Sequence, residues 1–150
     1  METTTETTRV EREVAIAARP ETVWEFLVDP DKATRWMGID ASLEPTPGGL
    51  YRVEVLPGTV VRGEFVELDP PRRAVWTWGW EPGSPSPLPV GASTVAVDLV
   101  PTDSGTLVRL THELPRDTAG RHAEGWEHYL SRLAVVASGA DPGADPWLSR

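Results

Sequence analysis

The side chains able to do chemistry in this sequence are few: histidines at 112, 122 and 128, scattered carboxylates, and a run of indoles, WTWGW, at Trp76, Trp78 and Trp80. Histidine titrates near neutrality, so His112 is the first candidate for proton transfer. It closes an alternating run, GTLVRLTHEL, in which Val108, Leu110 and His112 share one parity and therefore one face of a strand. Carboxylates are common partners in such chemistry, and Glu64 stands in the run VVRGEFVEL. Arg62 and Glu64 share a face by alternation, but Gly63 between them invites a bulge that would redirect both. The competing reading of His112 is a buried ring that is simply hydrogen-bonded.

Most enzyme signatures are missing. There is no cysteine, which excludes a disulfide framework and a thiolate nucleophile or metal ligand. Neither GxSxG, HExxH nor a phosphate loop occurs. The three histidines form no i, i+4 pair, and His122 and His128, six apart, fall on different faces of a helix. No residue is therefore assigned a catalytic or metal-binding role, and no cofactor is called for. The formal charge of −9, from 23 acidic and 14 basic residues, argues against nucleic acid and against an anionic membrane surface, because both are held by Lys and Arg. The start, METTTETTRVERE, lacks the basic and apolar regions of a signal peptide, and no apolar run reaches the ~18–20 residues that span a bilayer. The expected location is the cytoplasm.

The indoles pose the second question. Alternate residues of a strand share a face, so Ala74, Trp76, Trp78 and Trp80 point the same way if this stretch is extended. An aromatic side chain buries roughly 150–250 Å² wherever it packs, so the three either fill a core or wall a pocket. Trp80, next to the loop EPGSPSPLPVG, suits a rim; Trp24 suits the core.

The elements that must position these groups follow from the hydrophobic period. RVEREVAIA alternates and predicts a first strand from Arg9. PETVWEFLVDP predicts a short helix begun by Pro20 and stopped before Pro30. DKATRWMG predicts a second, with Asp29 or Asp31 as N-cap and Gly38 as its stop. IDASLEP, LYRVEVL, VVRGEFVEL, AVWTWGW, STVAVDLVP and GTLVRLTHEL are six short extended runs, and the tight turns between most of them predict an antiparallel meander. Alternation turns Val95, Val97 and Leu99 inward and Asp98 and Arg109 outward, the latter two either a solvated pair or not paired at all. The long loop at 81–91 is either a lid or rim or disordered. Residues 119–138 return to helical spacing, with Trp126, Tyr129, Leu130, Leu133, Val136 and Ala137 on one stripe that should lie on the sheet. Gly139 and Pro142 end it, leaving Trp147 to dock or hang free.

One strand, two short helices, six strands and a long helix make an α+β arrangement in which a curved antiparallel sheet wraps one helix. ARPETVWEFLVDPDKATRWMG, PGGLYR, RGEFVELDPPRRAVWTW, STVAVDLVP, GTLVRLTHEL and HAEGWEHYLSRLA, covering roughly residues 10 to 138, resemble in their order and spacing the START-like, or SRPBCC, superfamily with its helix-grip fold. Within it they are similar to the bacterial group named after activators of the heat-shock-protein 90 ATPase. The resemblance implies one START-like domain over residues 9–138, a disordered segment at 1–8 and a C-terminal tail at 139–150. It also implies a cavity between sheet and long helix, with Trp36, Trp76, Trp78, Trp80, His112, Trp126, Tyr129, Leu130 and Leu133 as candidate ligand-binding residues. The function it implies is binding of a hydrophobic or aromatic small molecule. The alternatives the resemblance implies are an enzyme of cyclase, dehydratase or hydrolase type in the same cavity, with a carboxylate such as Glu64 as general base acting with His112, or a chaperone-associated protein, the least supported partner because the chain has no room for a second domain. A homodimer is left open.

Overall fold

The computed structural model describes residues 6–85 and 87–149. Seven strands form a single antiparallel sheet in the order β1-β7-β6-β5-β4-β3-β2. They are β1 (Thr7–Ile16), β2 (Asp40–Leu43), β3 (Leu50–Leu56), β4 (Thr59–Asp69), β5 (Arg73–Trp78), β6 (Ser93–Thr102) and β7 (Gly105–Pro115). The meander β2 to β7 is joined by short connections except for the long segment 79–92 between β5 and β6, and β1 extends it by pairing with β7, Val10 opposite His112. Register shifts between Glu54 and Leu56 and between Phe65 and Glu67 bend β3 and β4. Between β1 and β2 lie α1 (Pro20–Val28) and α2 (Pro30–Ala33); after β7 comes α3 (Ala119–Ala137), packed across the concave face of the sheet. This is the helix-grip α+β fold.

The boundaries differ in places from those the sequence predicts. β1 begins at Thr7, so Thr7 and Thr8 pair with Pro115 and Leu114 rather than belonging to a disordered segment; residues 1–5 lie outside the described residues. The second helix is one turn and not eight residues. Asp29 supplies its N-cap, accepting from the amides of Asp31 at 2.9 Å and Lys32 at 3.4 Å, with Pro30 in the first turn. Gly38 ends this region at φ +85°, where a Cβ would press on the Glu54 carbonyl of β3.

Strand parity places the core as alternation predicts. Tyr51, Val53 and Val55 of β3, Ala74, Trp76 and Trp78 of β5, Val95, Val97 and Leu99 of β6, and Val108, Leu110 and His112 of β7 are all buried. Leu130, Leu133 and Ala137 of α3 meet them. On the outer face, Asp98 and Arg109 are cross-strand neighbours, yet they do not pair with each other. Asp98 receives both carboxylate bonds from Arg73 Nη1, at 3.0 and 2.9 Å, and Arg109 reaches Glu13 at 2.6 Å.

Gly63 is not bulged; the shift comes three residues later, at Val66. Its role is close approach: a Cβ at Gly63 would overlap the Thr77 carbonyl oxygen of β5, while the Thr77 hydroxyl accepts from the Glu64 amide at 2.9 Å. Gly63→Ala is accordingly expected to force β4 from β5 and to cost about 2–3 kcal/mol in a urea titration, near the upper end for single substitutions. A change under about 0.5 kcal/mol would contradict the close approach.

Candidate functional site

The concave face carries two histidines whose hydrogen bonds fix their chemistry. His112, fully buried at the end of β7, accepts at Nδ1 from the indole N–H of Trp126 at 3.1 Å. An indole nitrogen only donates, so Nε2 must carry the imidazole proton. That proton goes to Ser93 Oγ at 2.7 Å, and the Ser93 hydroxyl in turn donates to the Trp78 carbonyl at 2.7 Å. Burial, with a smaller contribution from nearby His122, pushes the His112 pKa down to about 3. His112 is thus a neutral, fully committed ring.

These roles exclude the couple proposed from sequence. Ser93 beside His112 looks like a nucleophile and its base, but Nε2 is the donor and has no lone pair to take the serine proton. Glu64 is exposed on the outer face of β4, the opposite side of the sheet from His112. Arg62 shares that outer face and binds Glu81.

His122, in the first turns of α3, is the complementary case. Its Nδ1 lies 2.8 Å from the Thr118 carbonyl, which only accepts, and its Nε2 accepts from the Trp80 indole at 3.1 Å. It is neutral with the proton on Nδ1, and burial lowers its pKa against the opposing pull of the Thr118 carbonyl. The two imidazoles meet edge to face at 5.1 Å. Trp78 sits among them, 4.9 Å from Trp126, 5.6 Å from Trp80 and 5.6 Å from His112. Among the described residues the indole N–H groups of Trp76 and Trp78 have no acceptor.

Beside this cluster a cleft of about 460 Å³ opens between the sheet and the first half of α3. Trp78, Trp80, Trp126 and Tyr129 wall it, as the sequence suggested. The other five expected residues stand elsewhere. Trp76 is 1% exposed and stacks on Tyr51 at 4.8 Å, deeper in the sheet. His112, Leu130 and Leu133 lie in the core behind the wall. Trp36 lies outside this wall: its indole donates to the Phe26 carbonyl at 2.9 Å and ties the segment after α2 to α1.

Sequence reading missed several residues of the cleft. Pro85 and Pro87 bring the 81–91 loop to its rim. The loop is anchored by buried Leu88 and by the Trp80 amide donating to the Leu88 carbonyl at 2.8 Å, which makes its described residues a rim of the cleft. Trp147 docks: its ring lies flat on His128 at 3.8 Å, and Asp145 bonds both His128 Nε2, at 2.8 Å, and the Trp147 amide, at 2.9 Å. The tail therefore closes one end of the cleft. On α3, the rows Thr118–His122–Trp126 and Arg121–Gly125–Tyr129 both face it. Extending the apolar stripe one turn toward the N-terminus by i, i+4 steps would have found His122. Among the described residues no group of three or more His, Asp or Glu is placed to hold a metal ion.

The comparisons agree with this architecture. The family model described as Activator of Hsp90 ATPase homolog 1-like protein matches residues 17–138. The solution structure of an AHSA1-like protein from Rhizobium etli is 44% identical, covers 100% of this chain and 94% of its own, and superposes with a TM-score of 0.76. Two others share the fold at lower identity. DynU16, from the dynemicin biosynthetic locus, is 23% identical over 91% of this chain and 50% of its own, with a TM-score of 0.75. The Aha1 dimer from Colwellia psychrerythraea is 18% identical over 88% of this chain and 97% of its own, with a TM-score of 0.76. No curated protein matches the chain significantly. With its family model spanning most of the sequence and its helix-grip fold shared by these structures, the chain belongs to the Activator of Hsp90 ATPase homolog 1-like family of the START-like superfamily.

Proposed function

We propose that this chain is a cytoplasmic binding protein whose START-like unit, residues 9–138 extended by the first residues of β1, holds a hydrophobic or aromatic small molecule. The observation that carries the reading is the indole-walled cleft of about 460 Å³ between sheet and α3. Its size falls within the roughly 300–1,000 Å³ of small-molecule sites, and its wall is apolar with a few polar groups at the edge. Binding is favoured over turnover because both imidazoles near the cleft already have their donor and acceptor roles occupied.

The test is a thermal-shift screen of the purified protein against fatty acids, sterols, flavonoids and polyketide-like aromatics. A ligand at 100 times its Kd stabilises the native state by about 2.7 kcal/mol. At about 2–4 °C per kcal/mol for a chain of this size, the midpoint should rise by roughly 5–10 °C. A flat panel would overturn the reading. A second reading, a chaperone ATPase activator, is carried by the family description; stimulation of the chaperone's ATPase by this chain, with no small-molecule shift, would replace the first.

A further inference from the structure

The cleft has a shape and a polarity that narrow what it takes, granted that it is a binding site. Residues 121, 125 and 129 lie one helical turn apart and form a single ridge along α3 toward the cleft. The ridge is interrupted. Arg121 and Tyr129 are large, and Gly125 between them has no side chain; a Cβ built there would meet no atom within 4 Å. The neighbouring row, His122 and Trp126, keeps its rings. The result is a notch floored by helix backbone and bordered by the aromatic rings of Trp126 and Tyr129, faces on which a planar ring can stack. Glycine is a poor residue for the interior of a 19-residue helix, so the notch is maintained against the helix's own preference.

The open end of the notch is at Arg121, which is exposed and forms no ion pair among the described residues. Asp117 stands at the same lip without pairing to it. Among the described residues of the wall, the buried Trp78 indole N–H has no acceptor and is also a donor. Arg121 and Trp78 thus both present N–H groups to a ligand. A chain of net charge −9 disfavours anions in general, so uptake of an acid has to be secured locally.

We infer that the cleft takes a planar aromatic acid, its rings lying over the notch at Gly125 and its anionic group on the Arg121 guanidinium at the lip. The experiment compares two fluorescent probes that differ by one group, 8-anilinonaphthalene-1-sulfonate and its neutral counterpart N-phenyl-1-naphthylamine, titrated into the full chain and into Arg121→Gln and Gly125→Leu. The wild type should bind both. Arg121→Gln should weaken the sulfonate by on the order of two- to fivefold, the range for an exposed ion pair, and leave the neutral probe unchanged. Gly125→Leu should weaken both by about tenfold or more while raising the thermal midpoint, since leucine favours helix. Should Gly125→Leu fail to fold, Gly125→Ala carries the same test, with a higher midpoint and weaker binding of both probes. Equal loss of both probes, or of neither, in Arg121→Gln overturns the acid while leaving the cleft as a site for neutral aromatics. Undiminished binding in the Gly125 variants overturns the notch. Failure of both probes to bind the wild type overturns this inference and the small-molecule reading together.

Discussion

Trp76→Ala is expected to cost about 3–5 kcal/mol of folding stability and to leave small-molecule binding in the cleft intact once the protein is folded. Trp76 is 1% exposed, stacked on Tyr51 with ring centres 4.8 Å apart and edge-on to Phe65 at 6.3 Å. It stands opposite Phe65 of β4 and Val95 of β6, in the middle of the sheet, and α3 covers the concave face around it. Truncation leaves a cavity that rigid strands on both sides cannot collapse into. A single domain is stable by roughly 5–15 kcal/mol, so this one change removes a large share. In a urea titration the midpoint should fall by roughly 1.5–2.5 M at an m-value near 2 kcal/mol/M. Trp76→Phe should lose much less, because it keeps most of the ring and removes an indole N–H that has no acceptor. A loss under about 1 kcal/mol for the alanine variant would mean that the sheet repacks freely, contrary to the buried stack.

Acidification should weaken the fold through His112. Its pKa lies near 3 when folded against an ordinary value of 6.5, so between those limits the unfolded chain binds the proton and the native state does not. Stability is therefore fully present above about pH 6.5 and is lost progressively as pH falls toward 3, at up to about 1.4 kcal/mol per pH unit. By pH 4.5 the loss from this residue amounts to about 2.7 kcal/mol. His122, lowered in the same direction, adds to it. Urea titrations at pH 7 and pH 4.5 read the effect against His112→Gln. The variant is less stable at pH 7, having lost its bonds to Trp126 and Ser93, but its fall between the two pH values should be smaller by about 2–3 kcal/mol. Carboxylate contributions are common to both proteins and cancel in that difference. An identical fall in both would show that His112 is not held neutral.

Direction within an element was legible from the sequence, and relation between elements was not. Alternation put Trp76 and Trp78 on one face of their strand and Val108, Leu110 and His112 on one face of theirs, and helical spacing put Trp126, Leu130 and Leu133 on one stripe; the family resemblance identified those faces as the two sides of the grip. The order of strand and helix signals was enough for the α+β class, because each element's period declares its buried face, and the resemblance of the motifs led from there to the helix-grip fold and the family. Asp98 and Arg109 show where that reasoning ends: parity puts both outside and side by side, yet Arg73 and Glu13 offer each a better partner from a neighbouring strand. Trp36 is a similar case, since its spacing did not declare that its indole N–H would donate to the Phe26 carbonyl of α1.

The sequence by itself thus determined the class of fold, the sheet's inner and outer faces and the stripe of the long helix, all consequences of periods of 2 and 3.6 residues. Tertiary structure decided which inward-facing residues border empty space. That depends on how far α3 stands from the sheet, which is set by summed side-chain volumes across two elements: Trp78 against Trp126 keeps them apart, and Gly125 leaves the gap unfilled. It also decided that His112 is a structural ring and not a base, because the donor and the acceptor that fix its proton come from α3 and β6 respectively, distant in sequence and joined only by folding.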